Sequence, residues 1–228
     1  MKTFFKYLCV ALAVVLSAQA TAHGATPSGN AATGARLAQQ CADCHGTDGI
    51  APDDTMPNLA GQKASYLIKQ ITDMRSTANK RAGLTLSQDI DKEIRSDRYK
   101  FTRVGRSNEI MDSVVIDLRD RDIADLAAHY SRLSCATTRA LTVPKSPTQA
   151  VRCKACHGAN GVSRSSVIPN LAGQSEGYLM GRLQAYREIG RELSKKERRR
   201  NIMATQARLL RDDDITSLAR YFSSLACN

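Results

Sequence analysis

Apolar residues recur along this chain at the spacing of helices with one buried face. Between Asp120 and Leu133, Ile123, Leu126, Ala127 and Tyr130 stand at i, i+3, i+4 and i+7, the stripe of an amphipathic helix. Arg211 to Leu225 carries the same stripe in Ile215, Leu218, Ala219 and Phe222. Acidic residues near the start, Asp120 and Asp122, suit the positive end of the helix dipole. Lys63 to Arg75 places Tyr66, Leu67, Ile71 and Met74 near helical spacing, and Asn30 to Gln40 reads as a shorter helix. No segment alternates as a strand would. The pattern predicts an all-α protein. One apolar run differs in kind: Tyr7 to Ser17 is continuous, follows Lys2 and Lys6, and precedes Ala18-Gln19-Ala20 and Ala20-Thr21-Ala22. This is the form of a secretory signal over residues 1–22, cleaved after residue 20 or 22. The run is too short for a good membrane span, and Cys9 lies too early in it for lipid attachment. The expected product is a soluble protein exported to a bacterial periplasm.

The two matching stripes belong to a longer repeat, and repeats decide architecture. MPNLAGQ, Met56 to Gln62, recurs as IPNLAGQ, Ile168 to Gln174, and Tyr66-Leu67 recurs as Tyr178-Leu179, all 112 positions on. Beyond that point the offset is 92: Met111 pairs with Met203, Asp122-Ile123 with Asp214-Ile215, and Cys135 with Cys227. The first unit is therefore 20 residues longer (112 less 92), within Asp73 to Asn108. Pro144 and Pro147 interrupt an aperiodic stretch between the units. The expected organisation is a first domain over 23–135, a linker over 136–149, and a second domain over 150–228.

Each unit opens on a motif with defined chemistry. Cys41-Ala42-Asp43-Cys44-His45 and Cys153-Lys154-Ala155-Cys156-His157 are both C-x-x-C-H, the signature of covalent haem c attachment. Two thiols add to the haem vinyl groups, and the adjacent histidine is placed to ligate iron. The competing reading is tetrahedral zinc, which commonly takes two C-x-x-C pairs close in the fold. Here each pair has its own histidine and its own unit. Two covalent haems would also supply a large flat apolar filler to cores that have no Trp and only 5% aromatic residues. They would staple a second unit of about eighty residues, a size at which a core alone is marginal.

The repeat also separates packing methionines from ligands. Met56 aligns with Ile168, Met74 with Tyr186 and Met180 with Ile68, whereas Met111 and Met203 align with each other. Packing tolerates exchange of methionine for isoleucine; iron ligation by a thioether does not. The expected axial pairs are His45 with Met111 and His157 with Met203. Such ligation raises the reduction potential and closes iron to substrates. Pro57 and Pro169 follow the motifs at equivalent places. Their carbonyls either accept a hydrogen bond from the unligated nitrogen of the haem histidine, which would fix the ring, or the prolines only shape a turn.

With these residues in place, the chain resembles the dihaem class I cytochromes c, most closely the cytochrome c(4) family. The shared features are two CxxCH motifs, PNLAGQ followed by a tyrosine-leucine pair, and a Met-to-Asp-Ile final segment in each unit. The resemblance implies two tandem class I cytochrome c domains, each wrapped around one covalent haem c and packed face to face. It also implies electron delivery from a bc-type complex toward a terminal oxidase. The long first unit and the leftover pair Cys135 and Cys227 depart from the family pattern. In an oxidising compartment that pair suggests a disulfide; free buried thiols and an intermolecular bridge stay open.

Charge bears on partners. The formal net charge is +11, or +9 once Lys2 and Lys6 are removed. Nucleic acid is excluded by compartment, and membrane contact is at most peripheral. Lys80 to Arg106 holds eight basic and four acidic residues, and Arg191 to Arg200 six and two. These runs are either solvated faces or docking surfaces for acidic redox partners. The leading expectation is a non-enzymatic carrier; the alternative is the cytochrome subunit of a periplasmic dehydrogenase, such as a sulfide-oxidising flavocytochrome. A dihaem enzyme would need an open or unusually ligated iron. The histidines outside the motifs are His23, near the mature start, and His129, which aligns with Tyr221 and is expected to cap or pack the final helix.

Overall fold

The structure is a computed structural model that describes residues 29–83, 108–135, 143–198 and 201–227. The signal segment with Cys9, His23, most of the basic run Lys80 to Arg106 and residues 136–142 of the linker lie outside the described residues. Among the described residues every regular element is helical. In the first unit these are α1 (Ala31–Leu37), a 3₁₀ turn (Ala38–Cys41), α2 (Ala42–His45), α3 (Ala64–Arg81), α4 (Glu109–Val115) and α5 (Asp120–Tyr130). In the second unit they are α6 (Ala150–His157), α7 (Glu176–Glu192), α8 (Lys195–Arg198), α9 (Ile202–Ala207) and α10 (Asp212–Ser223). No described helix is long and apolar enough to cross a membrane.

Two cores form at repeat-equivalent positions. Leu67, Leu126, Ala127 and Tyr130 close the first, with Ala38 from the 3₁₀ turn. Leu179, Leu218, Ala219 and Phe222 close the second, with Ala150 from α6. The stripes seen in the sequence are thus the buried faces of α5 and α10, whose Ile123 and Ile215 are fully enclosed. Met180 packs on the second core, as its alignment with Ile68 implied. Helix α3 runs six residues beyond the stretch legible as periodic. It has nearly the same length as α7, 18 residues against 17, so the extra residues of the first unit follow Arg81.

The units differ at their entry. Helix α1 has no helical counterpart, because the residues equivalent to it precede α6 as irregular chain. Helix α1 lies against α5 through Gly34, where a Cβ would fall 2.0 Å from the Asp125 carbonyl oxygen. Asn30 caps α1 with its side-chain oxygen and donates its backbone N–H to Asp125 at 2.6 Å. His129 packs beside Gly34 and Tyr130; burial pushes its imidazole below the ordinary range.

Helices α5 and α10 start alike, each on an arginine bonded back by the aspartate three residues on. Asp122 accepts the Arg119 backbone N–H at 3.0 Å and its Nε–H at 2.8 Å, and Asp214 accepts the same groups of Arg211 at 3.0 and 3.3 Å. The Arg119 side chain above all holds the Asp122 carboxyl below the usual range; for Asp214 the Arg211 backbone N–H leads, its side chain next. Carboxyls depressed in the folded state contribute stability above the unfolded value of about 3.9 and lose it as pH falls through the folded value. Replacing either aspartate with asparagine should cost about 1 kcal/mol near neutrality and flatten the fall of the thermal midpoint below about pH 4. An unchanged acid slope in the double variant would exclude these caps as its source.

The units meet along the two PNLAGQ segments. Asn58 Nδ2 donates to the Gly173 carbonyl at 2.9 Å, and Asn170 Nδ2 to the Gly61 carbonyl at 3.1 Å. Gln174 Nε2 donates to the Asn58 carbonyl at 2.9 Å, and Gln62 Nε2 to the Asn170 carbonyl at 3.0 Å. Each of these four bonds has its mate, so this part of the seam carries local twofold symmetry, which the Gly177 and Tyr178 N–H groups, both donating to Asp54, do not share. At its edge Cys135 and Cys227, just beyond α5 and α10, form a disulfide with Cα atoms 6.2 Å apart. Of the three fates left open for this pair, the fold has the intramolecular bond.

Candidate functional site

Both C-x-x-C-H motifs end a helix. His45 is the last residue of α2 and His157 of α6. Gly46 and Gly158 then turn the chain with φ of 77° and 89°, and a Cβ at either would lie 2.0 Å from the carbonyl oxygen of Ile50 or Val162. Only glycine therefore folds the chain back so soon after the histidine. The returning loop is anchored in both units: Leu59 and Ala60 donate to the Gly49 carbonyl, and Leu171 and Ala172 to the Gly161 carbonyl.

The return delivers a proline carbonyl to each imidazole. His45 Nδ1 lies 3.0 Å from the Pro57 oxygen, and His157 Nδ1 lies 2.9 Å from the Pro169 oxygen. A carbonyl can only accept, so each Nδ1 carries the proton and each Nε2 keeps its lone pair. Both rings are 5% exposed. Desolvation pushes both below the ordinary histidine range, against the opposing pull of the proline carbonyls. Each motif thus presents a neutral imidazole, oriented through one nitrogen and ready to ligate through the other.

The thiols are also disposed alike. Cys41 and Cys153 are half-buried on their cores, whereas Cys44 and Cys156 are exposed. Desolvation pushes the Cys41 and Cys153 thiols up. Three residues apart on helical backbone, the two sulfurs of each motif share one face, as attachment to two substituents of one flat group requires. Among the described residues no cluster of three or more His, Cys, Asp or Glu could hold a metal ion. The motifs sit in separate cores, so they do not pool ligands as a shared zinc site would.

Met111 lies half-buried on α4 and Met203 half-buried on α9. The sequence reading placed both before the final helix without anticipating that short helices carry them. Asn108 caps α4 by accepting the Met111 N–H at 3.1 Å. Apolar surface adjoins both methionines: Ile110 is 60% and Ile202 40% exposed, at positions equivalent in the repeat. In each unit the two thiols on one helical face and the oriented imidazole beside an apolar core fit the chemistry of a large apolar group tethered by two thiols.

Two residues escaped the sequence reading. Arg75 on α3, 4% exposed, donates to the Leu118 carbonyl and to Asp120. Arg187 on α7 donates to the Leu210 carbonyl at 3.3 Å and to Asp212 at 2.7 Å. Both clamp the chain between the methionine helix and the final helix. The repeat held the signal: the arginines are related by the first offset and their partners by the second.

The profile of the cytochrome c family matches residues 31–133 and 148–226. The chain is 28% identical to cytochrome c4 of Pseudomonas aeruginosa over 96% of its length and 98% of that protein's. It is 31% identical to the thiosulfate dehydrogenase electron acceptor of Stutzerimonas stutzeri, over 82% of this chain and 80% of that protein. Among solved structures, reduced recombinant cytochrome c4 from Pseudomonas stutzeri superposes with a TM-score of 0.63 at 28% identity, covering 86% of this chain and 99% of that one. A thiosulfate dehydrogenase from Marichromatium purpuratum superposes with a TM-score of 0.59 at 27% identity, covering 85% of this chain and 40% of that one. Two profile matches, one over each C-x-x-C-H unit, and full-length likeness to two-domain relatives place the chain in the cytochrome c family, as a dihaem electron-transfer cytochrome of the c4 type.

Proposed function

We propose that this cytochrome is an exported carrier, closed at both irons by His45 with Met111 and His157 with Met203, that docks acidic redox partners through basic surface. Bound haem would supply a one-electron couple in each domain. Cys41 with Cys44 and Cys153 with Cys156 tether the haems, and the Pro57 and Pro169 carbonyls hold the histidine rings. The observation that carries the reading is the sameness of the two sites: each presents an oriented, buried, neutral imidazole, and each unit holds a half-buried methionine at the equivalent place of the repeat.

Docking is supported by the second domain's surface. Lys195 and Lys196 are exposed on α8. Arg187, Arg191, Arg208 and Arg211 line one open cleft, with Asp212 the acidic side chain among its lining residues.

Two partner sets follow. The respiratory reading takes electrons from a bc-type complex to a terminal oxidase. Likeness to a thiosulfate dehydrogenase electron acceptor supports the dehydrogenase-linked alternative, with a sulfur-oxidising enzyme as donor. Stopped-flow mixing of the oxidised cytochrome with each purified donor separates them, since the physiological donor should reduce it at a steered association rate. That rate should fall about tenfold or more as ionic strength rises from about 0.01 to 0.15 M and the Debye length contracts from about 30 to 8 Å. A rate indifferent to salt would rule out the basic docking surface.

A further inference from the structure

The hydrogen bonds that orient the haem histidines do not stop within their own domains. His45 Nδ1–H donates to the Pro57 carbonyl at 3.0 Å. The N–H of the same peptide unit, that of Asn58, donates to Gln174 Oε1 of the second domain at 2.7 Å. The mirror path runs from His157 Nδ1–H to the Pro169 carbonyl at 2.9 Å, and from the Asn170 N–H to Gln62 Oε1 of the first domain at 2.8 Å. Both glutamines are buried, at 6% and 7% exposure. Their amides are held in place: each Nε2 donates back across the seam, and each Oε1 also accepts the next residue's N–H, from Lys63 or Ser175.

From this crossed geometry we infer that Gln174 tunes the first haem and Gln62 the second, each acting through the other domain's proline peptide. A peptide that donates through its N–H becomes a better acceptor at its carbonyl, because hydrogen bonds in a chain polarise one another. A better acceptor at Pro57 draws the Nδ1 proton, enriches the imidazole and favours ferric iron, as outer-shell partners of metal-bound histidines do. Gln62 and Gln174 are positioning residues: they act on iron only through another group. Docking of the two domains thereby becomes part of what sets both potentials. The inference rests on His45 and His157 being the iron ligands.

The test is a redox titration of the holoprotein carrying Gln174→Met or Gln62→Met, with the two haems distinguished by the iron-shifted NMR signals of their own histidines. Methionine keeps the bulk and removes the amide. Gln174→Met should shift the ferric-to-ferrous ratio of the first haem about threefold toward ferrous, or about 28 mV upward at 59 mV per tenfold, and leave the second haem unmoved. Gln62→Met should do the reverse. The Nδ1 proton of the affected histidine should move upfield, reporting a weaker bond. Asn58→Ala removes a seam contact but keeps the Asn58 N–H, and should shift the first haem by less than Gln174→Met does.

Equal shifts at both haems, a shift confined to the glutamine's own domain, no shift, or an Asn58→Ala effect as large as that of Gln174→Met would each overturn the relay. Where a methionine variant fails to fold, Gln→Asn at the same position, one methylene too short to reach, replaces it. A failure of the ligand assignment shows separately, as missing iron-shifted imidazole signals in the unsubstituted protein.

Discussion

Replacing Met203 with alanine should lower the potential of the second haem by on the order of 0.2 V, within the roughly 0.8 V that axial ligands command. It should also open that iron to carbon monoxide in the reduced state, while the first haem keeps its potential and stays closed. The thioether favours ferrous iron; without it, water or nothing occupies the sixth position. Met111→Ala should reproduce the effect at the first haem. Met180→Ala supplies the contrast. Met180 packs half-buried against the second core, so its loss should cost about 1–2 kcal/mol of stability, less than a fully buried methionine would, without moving either potential. Carbon monoxide difference spectra and a two-haem redox titration read all three variants. An unshifted potential in Met203→Ala would remove Met203 from the ligand set, and carbon monoxide binding to the unsubstituted protein would reopen the enzyme reading.

The sequence carried the fold far because its stripes are long and occur twice. Ile123, Leu126, Ala127 and Tyr130 mark a face that can only be buried, and Ile215, Leu218, Ala219 and Phe222 repeat it. Helices α4 and α9 are too short, at seven and six residues, to display a period. They form because a cap and the clamps at Arg75 and Arg187 hold their surroundings, and such contacts join residues far apart in sequence. The Pro57 and Pro169 hydrogen bonds could be posed from spacing but not decided, since a proline that orients a histidine and one that only turns the chain look alike in sequence. PNLAGQ was visible as a repeat marker and mute as chemistry. Its asparagines and glutamines acquire partners only when one copy faces the other, and no single copy contains that information.

Replacing Cys135 and Cys227 together with serine should produce the largest loss of stability available at the seam. The bond closes a sequence separation of 92 residues, for which a chain-entropy account gives about 4 to 5 kcal/mol. The reciprocal amide bonds beside it compete with water, and each is worth about 0.5–1.5 kcal/mol net. They specify how the domains meet better than they hold them together. The double variant should therefore unfold at a lower temperature and lose coupling between its halves, giving two transitions where the disulfide-bonded protein gives one. Scanning calorimetry of both proteins, each loaded with two haems, checks this; a single transition at an unchanged midpoint would show that the amide seam suffices. The positions of the half-cystines explain why the seam is where loss should be felt. Each follows the final helix of its unit, and the Tyr130 and Phe222 carbonyls at the ends of those helices accept the Gly61 and Gly173 N–H groups of the two PNLAGQ segments. Tying Cys135 to Cys227 thus ties together the same two segments that carry the proline carbonyls to the histidines.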